Sequence, residues 1–341
     1  MVKKSNTLLI FLGLTTILAT SLLSFADPMA ENLLKASLGP GHQAYQGHMT
    51  VTHWSDRGTR SEEFEILFVP PNRYRLEFYR PDGRVGRVVW SNGDQERVEF
   101  PNGKKVYLGK AVKSSSKLME PDNEWQLLLT NYLITQTGSE PVAGRQTWIL
   151  QLVPKSKGKP NQMLWIDKEK DMILKVKRFQ PKTNFAVLSQ FTQIEMNPKF
   201  DPASFDLQPS TTRVKTQHGL DPDFLSIEDL KENTDMSAEP PSSLQQGFVF
   251  ESGDFFTVRG KVVRHFRYTD GLTVLSLFET KKPVQFREKP LASVAPDAPG
   301  PGVFHTTGPT HVVHWKSGGR HYTLMGDLSQ QALQEISTSI K

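Results

Sequence analysis

The sequence of 341 residues contains no cysteine. Disulfide bonds, thiol catalysis and thiolate metal sites are therefore excluded, and so is a lipid anchor attached through a cysteine. No glycine-rich phosphate loop and no Gly-x-Ser-x-Gly turn occurs either. A chain without covalent cross-links must be held together by its hydrophobic core alone.

Catalytic and metal-binding patterns are also missing. The carboxylates are scattered through turn segments, and none forms an isolated pair in apolar sequence that would suit acid–base catalysis. His305, His311, His314 and His321 lie close together, but His311 and His314 would point to opposite faces of a strand. A metal site needs three or four converging ligands. We therefore predict a binding protein that is not an enzyme and holds no metal or cofactor.

The N-terminus resembles an export signal. Lys3 and Lys4 precede an uncharged run over residues 5–26, and the small residues that close this run predict cleavage after Ala26, before Asp27. An uncleaved membrane anchor is the alternative, because about 20 apolar residues can span a bilayer. In both cases the bulk of the chain lies outside the cytoplasm. With that location and a net charge of only +5, we expect no nucleic acid partner.

Few segments favour a helix. Asp27 is a predicted N-cap, Pro28 suits the first helical turn, and Gly39 follows the last apolar residue of the segment. Two of the other helical segments, Asn123–Leu133 and Ser329–Ile340, show apolar residues at helical spacing. The predicted helices are Asp27–Leu38, Asn123–Leu133, Ser226–Glu232 and Ser329–Ile340.

Most of the remaining chain alternates apolar and polar residues between turns. Asn-Gly and Asp-Gly pairs supply the positive φ of tight hairpins, so the pattern predicts antiparallel strands. In the first part these are Tyr45–Trp54, Glu62–Val69, Arg73–Tyr79, Arg84–Trp90, Gln95–Phe100, Lys104–Leu108, Gln146–Val153, Gln162–Ile166, Ile173–Gln180 and Val187–Met196. In the last part they are Val262–Tyr268, Thr273–Glu279, His311–Lys316 and Arg320–Met325. The predicted fold class is α+β, mainly antiparallel β.

Changes in composition divide the chain. A signal peptide over residues 1–26 precedes a domain over 27–209, and residues 244–341 form a second, smaller domain. The stretch 210–243 is polar and contains Pro240-Pro241, so we interpret it as a linker that allows relative movement. The proline-rich insert 286–302 is predicted to be a loop.

The alternation in the predicted strand Arg73–Tyr79 indicates a sheet with one apolar and one polar face. Tyr74, Leu76 and Phe78 would face one side, and Arg73 and Arg75 the other. The apolar side is either a core beneath helices or a concave face that receives an apolar ligand, and periodicity does not separate the two. The candidate ligand-binding residues are Phe68, Tyr74, Leu76, Phe78, Trp90 and Trp165.

Several short motifs resemble known exported families. Pro141–Thr147, Leu164–Lys168, Ile173–Lys175 and Phe205–Leu207, in this order, resemble the LolA-like superfamily of lipoprotein carriers and their relatives. In the last part, three further motifs resemble the C-terminal domain of the MucB/RseB family. These are Leu244–Phe248, Tyr268–Leu272 and Thr323–Leu328.

This resemblance implies a LolA-like half-barrel that cups helices and offers an apolar cavity to acyl chains of lipid, lipopolysaccharide or lipoprotein. It also implies a small α/β C-terminal domain with an antiparallel sheet. Proteins of the MucB/RseB family act in the periplasm, where they regulate an envelope-stress sigma factor by binding the periplasmic domain of its membrane anti-sigma factor. The alternative is a periplasmic carrier of lipid or lipoprotein, which would use the same cavity.

Overall fold

The fold is that of a computed structural model. It describes residues 27–38, 43–56, 58–100, 106–111, 118–181, 183–206, 214–216, 225–234, 239–282, 303–307 and 310–340. The predicted signal peptide and the proline-rich insert 286–302 lie outside this part of the chain.

All four predicted helices are confirmed, with small shifts of their ends. They are α1 (Pro28–Leu38), α2 (Pro121–Asn131), α3 (Ile227–Asn233) and α4 (Gln330–Ser339). The Asp27 carboxylate accepts hydrogen bonds from the backbone N–H groups of Met29 and Ala30, both at 3.1 Å, as an N-cap should. The side chains of Ser226 and Ser329 cap α3 and α4 in the same way. No helix in the described ranges is long and apolar enough to cross a membrane.

Within the described residues the first sheet has twelve strands. These are β1 (Tyr45–Ser55), β2 (Gly58–Val69), β3 (Arg73–Tyr79), β4 (Val85–Asn92), β5 (Gln95–Glu99), β6 (Val106–Lys110), β7 (Tyr132–Val142), β8 (Arg145–Pro154), β9 (Asn161–Asp167), β10 (Ile173–Phe179), β11 (Ala186–Met196) and β12 (Val214–Thr216). Their spatial order is β12-β6-β5-β4-β3-β2-β1-β11-β10-β9-β8-β7. Every pair is antiparallel except β12 with β6. The predicted, mainly antiparallel α+β fold is confirmed.

Strand β7 was not predicted from the sequence. Its residues Gly138 and Pro141 are typical of turns, and the predicted second helix extended to Leu133, inside this strand. The strand lies at the edge of the sheet, where proline is tolerated because one side of the backbone has no ladder partner. A register shift between Gln136 and Gly138 accommodates the glycine.

The second sheet has seven strands in the part of the chain that the structure describes. These are β13 (Ser243–Leu244), β14 (Phe248–Val258), β15 (Lys261–Thr269), β16 (Val274–Thr280), β17 (Val303–Thr307), β18 (Thr310–Ser317) and β19 (Arg320–Gly326), in the order β13-β14-β15-β16-β19-β18-β17. Helix α4 packs on β18 and β19, and its Leu333 and Ile336 are fully buried. Leu230 of α3, which lies within the predicted linker, is also fully buried in this core.

The buried side chains of the described residues form two clusters in the first sheet and one in the second. We call residues 27–216 the first module and residues 225–340 the second module. In the first module, α1 and α2 pack against one face of the sheet at the β7–β9 end, and we call this face the inner face. The inner core contains Ala30, Leu34, Leu128, Tyr132, Ile134, Leu150, Leu152, Leu164 and Ile166.

His265 makes the stability of the second module depend on pH. Its ring stacks on Phe278, with the ring centroids 4.4 Å apart. Burial, and then the charge of Arg267, lower the pKa of His265 from 6.5 to about 4. As the pH falls below 6.5, the unfolded chain binds a proton before the folded one does, so stability that is complete above pH 6.5 is lost towards pH 4.

We expect this residue to lower the free energy of unfolding by at most about 3 kcal/mol across that window. Urea unfolding of residues 27–341 at several pH values measures the loss. His265→Gln should remove this part of the pH dependence, because glutamine does not titrate. The same pH profile in wild type and variant would show that the His265 pKa is not depressed.

Candidate functional site

The inner face of β2, β3 and β4 carries a continuous apolar surface. Strand pairing places Phe64 beside Phe78, Ile66 beside Leu76, and Phe68 beside Tyr74. These side chains are half-buried, whereas those under α1 and α2 are fully buried. We define the apolar face as Phe64, Ile66, Phe68, Tyr74, Leu76, Phe78 and Val89.

Ring contacts and polar groups frame this apolar face. The rings of Phe64 and Phe78 lie 4.9 Å apart, and the Tyr45 ring stacks on Phe68 at 5.1 Å. Burial raises the pKa of the Tyr45 hydroxyl to about 12, so this phenol stays neutral. At the open rim the Arg87 guanidinium lies 3.8 Å from the centre of the Phe78 ring. The apolar face therefore contains aromatic rings that already contact one another, and the Arg87 guanidinium lies at its edge.

Four of the six predicted ligand-binding residues share this surface, namely Phe68, Tyr74, Leu76 and Phe78. Trp90 does not, because it pairs with Arg75 and lies one residue from Val89, which puts it on the outer face of the sheet. There the Arg97 guanidinium lies 5.2 Å from its ring.

Trp165 lies in a core cluster with Val142, Leu174 and Phe191, against which Ile66 of the apolar face packs. Its strand neighbours Leu164 and Ile166 belong to the inner core, so alternation points the Trp165 ring the other way. The ring is only 4% exposed, and the Lys175 ammonium lies 4.1 Å from its centre. The structure thus brings together the four β2 and β3 residues, places Trp90 on the outer face, and buries Trp165 in a neighbouring core cluster.

A second site joins the two modules and was not foreseen from the sequence. The Lys159 ammonium, in the turn between β8 and β9, lies 2.6 Å from a carboxylate oxygen of Asp270, in the turn between β15 and β16. Both side chains are fully buried. The ammonium also donates a hydrogen bond of 2.7 Å to the backbone carbonyl of Gln246.

Two neighbours complete this polar contact. The Tyr132 hydroxyl donates to the Asp270 carboxylate at 2.8 Å, and burial, followed by the charge of Asp270, raises the Tyr132 pKa. The Asn131 amide donates to the backbone carbonyls of Gly247 at 3.2 Å and Asp270 at 3.1 Å. We call Asn131, Tyr132, Lys159 and Asp270 the interdomain cluster.

Contacts around the interdomain cluster extend the junction. The Arg178 guanidinium lies 2.5 Å from the Asp327 carboxylate, and the backbone N–H of Ser329 donates to the Gly158 carbonyl at 2.7 Å. Leu272 of the second module packs into the inner core of the first. The two modules therefore share apolar as well as polar contacts.

No cluster of three or more histidine, cysteine, aspartate or glutamate side chains that could hold a metal occurs within the described ranges. Of the four neighbouring histidines, His314 pairs its ring nitrogen with the Thr323 hydroxyl at 2.7 Å. The chemistry of the two sites is that of binding and docking: an apolar surface in one place and a buried polar junction in the other.

These features define a two-module binding protein built on a curved antiparallel sheet. Residues 43–211 match the family model described as the MucB/RseB N-terminal domain. The chain is of the MucB/RseB type over these residues, and the resemblance found in the sequence is confirmed. No curated protein matches the chain.

Solved structures show the same fold along most of the chain. A crystal structure of MucB in complex with MucA(peri) is 17% identical and covers 92% of this chain and 98% of its own, with a TM-score of 0.56. The Pseudomonas aeruginosa MucA/MucB complex has the same identity and coverages, with a TM-score of 0.53. A LolA superfamily protein from Nitrosomonas europaea is 10% identical over 52% of this chain and 97% of its own, with a TM-score of 0.28. The LolA-like description stays a prediction at that similarity.

Proposed function

We propose that this chain is a periplasmic regulatory protein that binds the periplasmic domain of a membrane anti-sigma factor and thereby controls envelope-stress signalling. The observation that carries the proposal is the arrangement of the whole chain. A MucB/RseB domain is followed by a second module, and both align with MucB in a complex with MucA(peri). The binding function needs no catalytic group.

The apolar face supplies the second half of the proposal. Half-buried aromatic and aliphatic side chains on one face of the sheet suit the acyl chains of lipid, lipopolysaccharide or a lipoprotein. In this proposal, acyl ligands that occupy the face lower the affinity for the anti-sigma factor. Such an effect requires that the ligand bind the two states of the protein with different affinity.

A lipid or lipoprotein carrier is the alternative function, and the same apolar face would serve it. The second module favours regulation over carriage, because a carrier needs little beyond the half-barrel. We propose that this module, with the preceding segment, forms part of the partner surface.

The test is a binding measurement with the mature chain, residues 27–341, and the purified periplasmic domain of the anti-sigma factor from the same organism. We expect a stable complex by biolayer interferometry and its release when lipopolysaccharide is added. Absence of a complex would contradict the regulatory function. A complex that lipopolysaccharide leaves unchanged would contradict the sensing half, and transfer of a lipoprotein between vesicles would support a carrier.

Leu76 lies at the centre of the apolar face, so a substitution there tests acyl binding most directly. Leu76→Glu places a carboxylate between Ile66 and Val89, and desolvating that charge against an acyl chain is unfavourable. We expect about tenfold or greater loss of lipopolysaccharide affinity, measured by displacement of a fluorescent acyl probe. Complex formation with the anti-sigma domain should stay within about twofold of wild type.

Trp90→Glu is the matched control, since Trp90 lies on the adjacent strand but on the outer face. This variant should bind the acyl probe as wild type does. Equal loss in both variants, with unchanged circular dichroism, would show that the apolar face defined here is not the acyl site.

A further inference from the structure

The outer face of the first sheet carries a groove that belongs neither to the apolar face nor to the interdomain cluster. It has a volume of about 560 Å³ and lies between the turn that joins β1 to β2 and the turn that joins β10 to β11. A volume of this size is typical of sites for small ligands. We call it the outer groove, and define it by Trp54, Thr59, Lys177, Phe179, Phe185 and Ala186.

Strand register separates the outer groove from the apolar face. Met49 pairs with Phe64, a member of the apolar face, whereas Trp54 pairs with Thr59. These two pairs are five residues apart along an uninterrupted register, and an odd separation puts them on opposite faces of the sheet. The sheet itself therefore lies between the two sites.

In the outer groove two aromatic side chains stand on either side of a small one. Phe179 of β10 pairs with Ala186 of β11, and Ala186 pairs with Trp54 of β1. Because neighbouring strands lie about 4.8 Å apart, the two aromatic side chains leave the backbone about 9.6 Å apart, with only a methyl group between them. A flat ring in contact with both walls at about 3.5–4.0 Å would need only roughly 7–8 Å. A puckered pyranose ring is thicker and fills this gap better.

Polar groups at one end of the outer groove suit the hydroxyl groups of a sugar. Gln180, Thr183 and Asn184 line it, and side-chain amides and hydroxyls both donate and accept hydrogen bonds. The Asn184 amide donates at 2.9 Å to the Asp56 carboxylate, which ties the two turns together. An acyl chain in this position would leave the polar groups without partners, which is unfavourable.

The outer groove also contains a cation. The Lys177 ammonium lies 5.4 Å from the centre of the Phe179 ring. Lys175, on the same face of the strand, pairs with Glu140, whereas Lys177 has no ion pair among the described residues. An ammonium beside an aromatic wall is well placed to bind an acidic substituent of the ligand.

We propose that the outer groove binds a glycan, with one pyranose ring between Trp54 and Phe179 and an acidic substituent of the glycan on Lys177. Two kinds of envelope saccharide carry this chemistry: the glycan strands of peptidoglycan and the core oligosaccharide of lipopolysaccharide. The inference takes only the periplasmic location from the proposed function and depends on neither acyl binding nor the anti-sigma partner.

Isothermal titration calorimetry of residues 27–341 tests the inference with two probes, glycan strands freed of their peptides and core oligosaccharide freed of lipid A. We expect at least one probe to bind with a Kd below about 1 mM, and the one that binds identifies the source of the sugar. Trp54→Ala removes one wall and should weaken binding by about tenfold or more. Ala186→Leu fills the space between the walls and should abolish binding while both aromatic side chains remain.

Trp148→Ala is the matched control. Trp148 is also half-buried beside a lysine, with the Lys168 ammonium 3.7 Å from its ring centre, but it lies on β8 outside the outer groove. This variant should bind as wild type does. No binding of either probe, or unchanged affinity in both Trp54→Ala and Ala186→Leu, would overturn the inference.

Lys177→Gln tests the acidic substituent. It should weaken binding of the acidic probe by about tenfold and leave binding of a neutral N-acetylglucosamine hexamer unchanged. Equal loss for both sugars would show that Lys177 does not recognise an acidic group.

The two faces of the sheet allow the glycan site and the acyl site to be tested separately. Trp54→Ala should leave displacement of the acyl probe unchanged, and Leu76→Glu should leave the glycan titration unchanged. Loss of glycan binding in Leu76→Glu, with unchanged circular dichroism, would place the sugar on the apolar face and contradict the inference. Failure to bind the anti-sigma domain would contradict only the proposed function.

Discussion

Replacing Lys159 with methionine is expected to lower the free energy of unfolding of residues 27–341 by about 3–5 kcal/mol. The loss arises because Asp270 remains fully buried and keeps its carboxylate without the ammonium that lies 2.6 Å away in the wild type. Guanidinium unfolding, followed by tryptophan fluorescence, measures the change. Because the pair spans the two modules, we also expect the single transition to split into two.

A double variant separates the lost pairing from the lost packing. Lys159→Met/Asp270→Asn removes both charges, while the asparagine oxygen can still accept from the backbone N–H groups of Leu272 and Thr273. We expect it to recover at least about half of the loss, since replacing both members of a buried pair is far milder than removing one. A double variant that is no more stable than Lys159→Met would show that the buried charge is not the cause.

The turns and strand periods of this chain could be predicted from its sequence, because they depend on neighbouring residues. Asp27, Ser226 and Ser329 cap helices that begin where the sequence indicates. Strand β14 was missed because Ser252-Gly253-Asp254 is typical of a turn. Gly253 instead allows α3 to pack closely against the strand, since a Cβ at Gly253 would meet Leu230 of α3 at 2.1 Å.

The apolar face could be predicted only within a single strand. Alternation placed Tyr74, Leu76 and Phe78 on one side, and the structure agrees. Placing Trp90 requires the register of β3 with β4, which shifts between Phe78 and Tyr79, and placing Trp165 requires the pairing of strands that are remote in sequence. The interdomain cluster is harder still, because Lys159 and Asp270 are 111 positions apart and each stands in an ordinary turn.

Gly271→Ala is expected to disrupt the junction without changing any charge. Gly271 has a φ of +93°, and a Cβ there would lie 2.6 Å from the Cα of Leu128, which is helix backbone and cannot move aside by changing rotamer. We expect the second module to be pushed off α2, with a fall in melting temperature on the order of 10 °C and a larger radius of gyration.

Gly319→Ala isolates the part that is due to backbone strain. Gly319 also has a positive φ, +76°, but no atom lies within 4 Å of the position a Cβ would take. This control should lose only about 1–2 kcal/mol and keep the wild-type radius of gyration. Because the two variants differ mainly in the contact with Leu128, their difference measures how firmly the modules are docked. If Gly271→Ala were no more disruptive than Gly319→Ala, the close approach of Gly271 to Leu128 would not be what holds the second module in place.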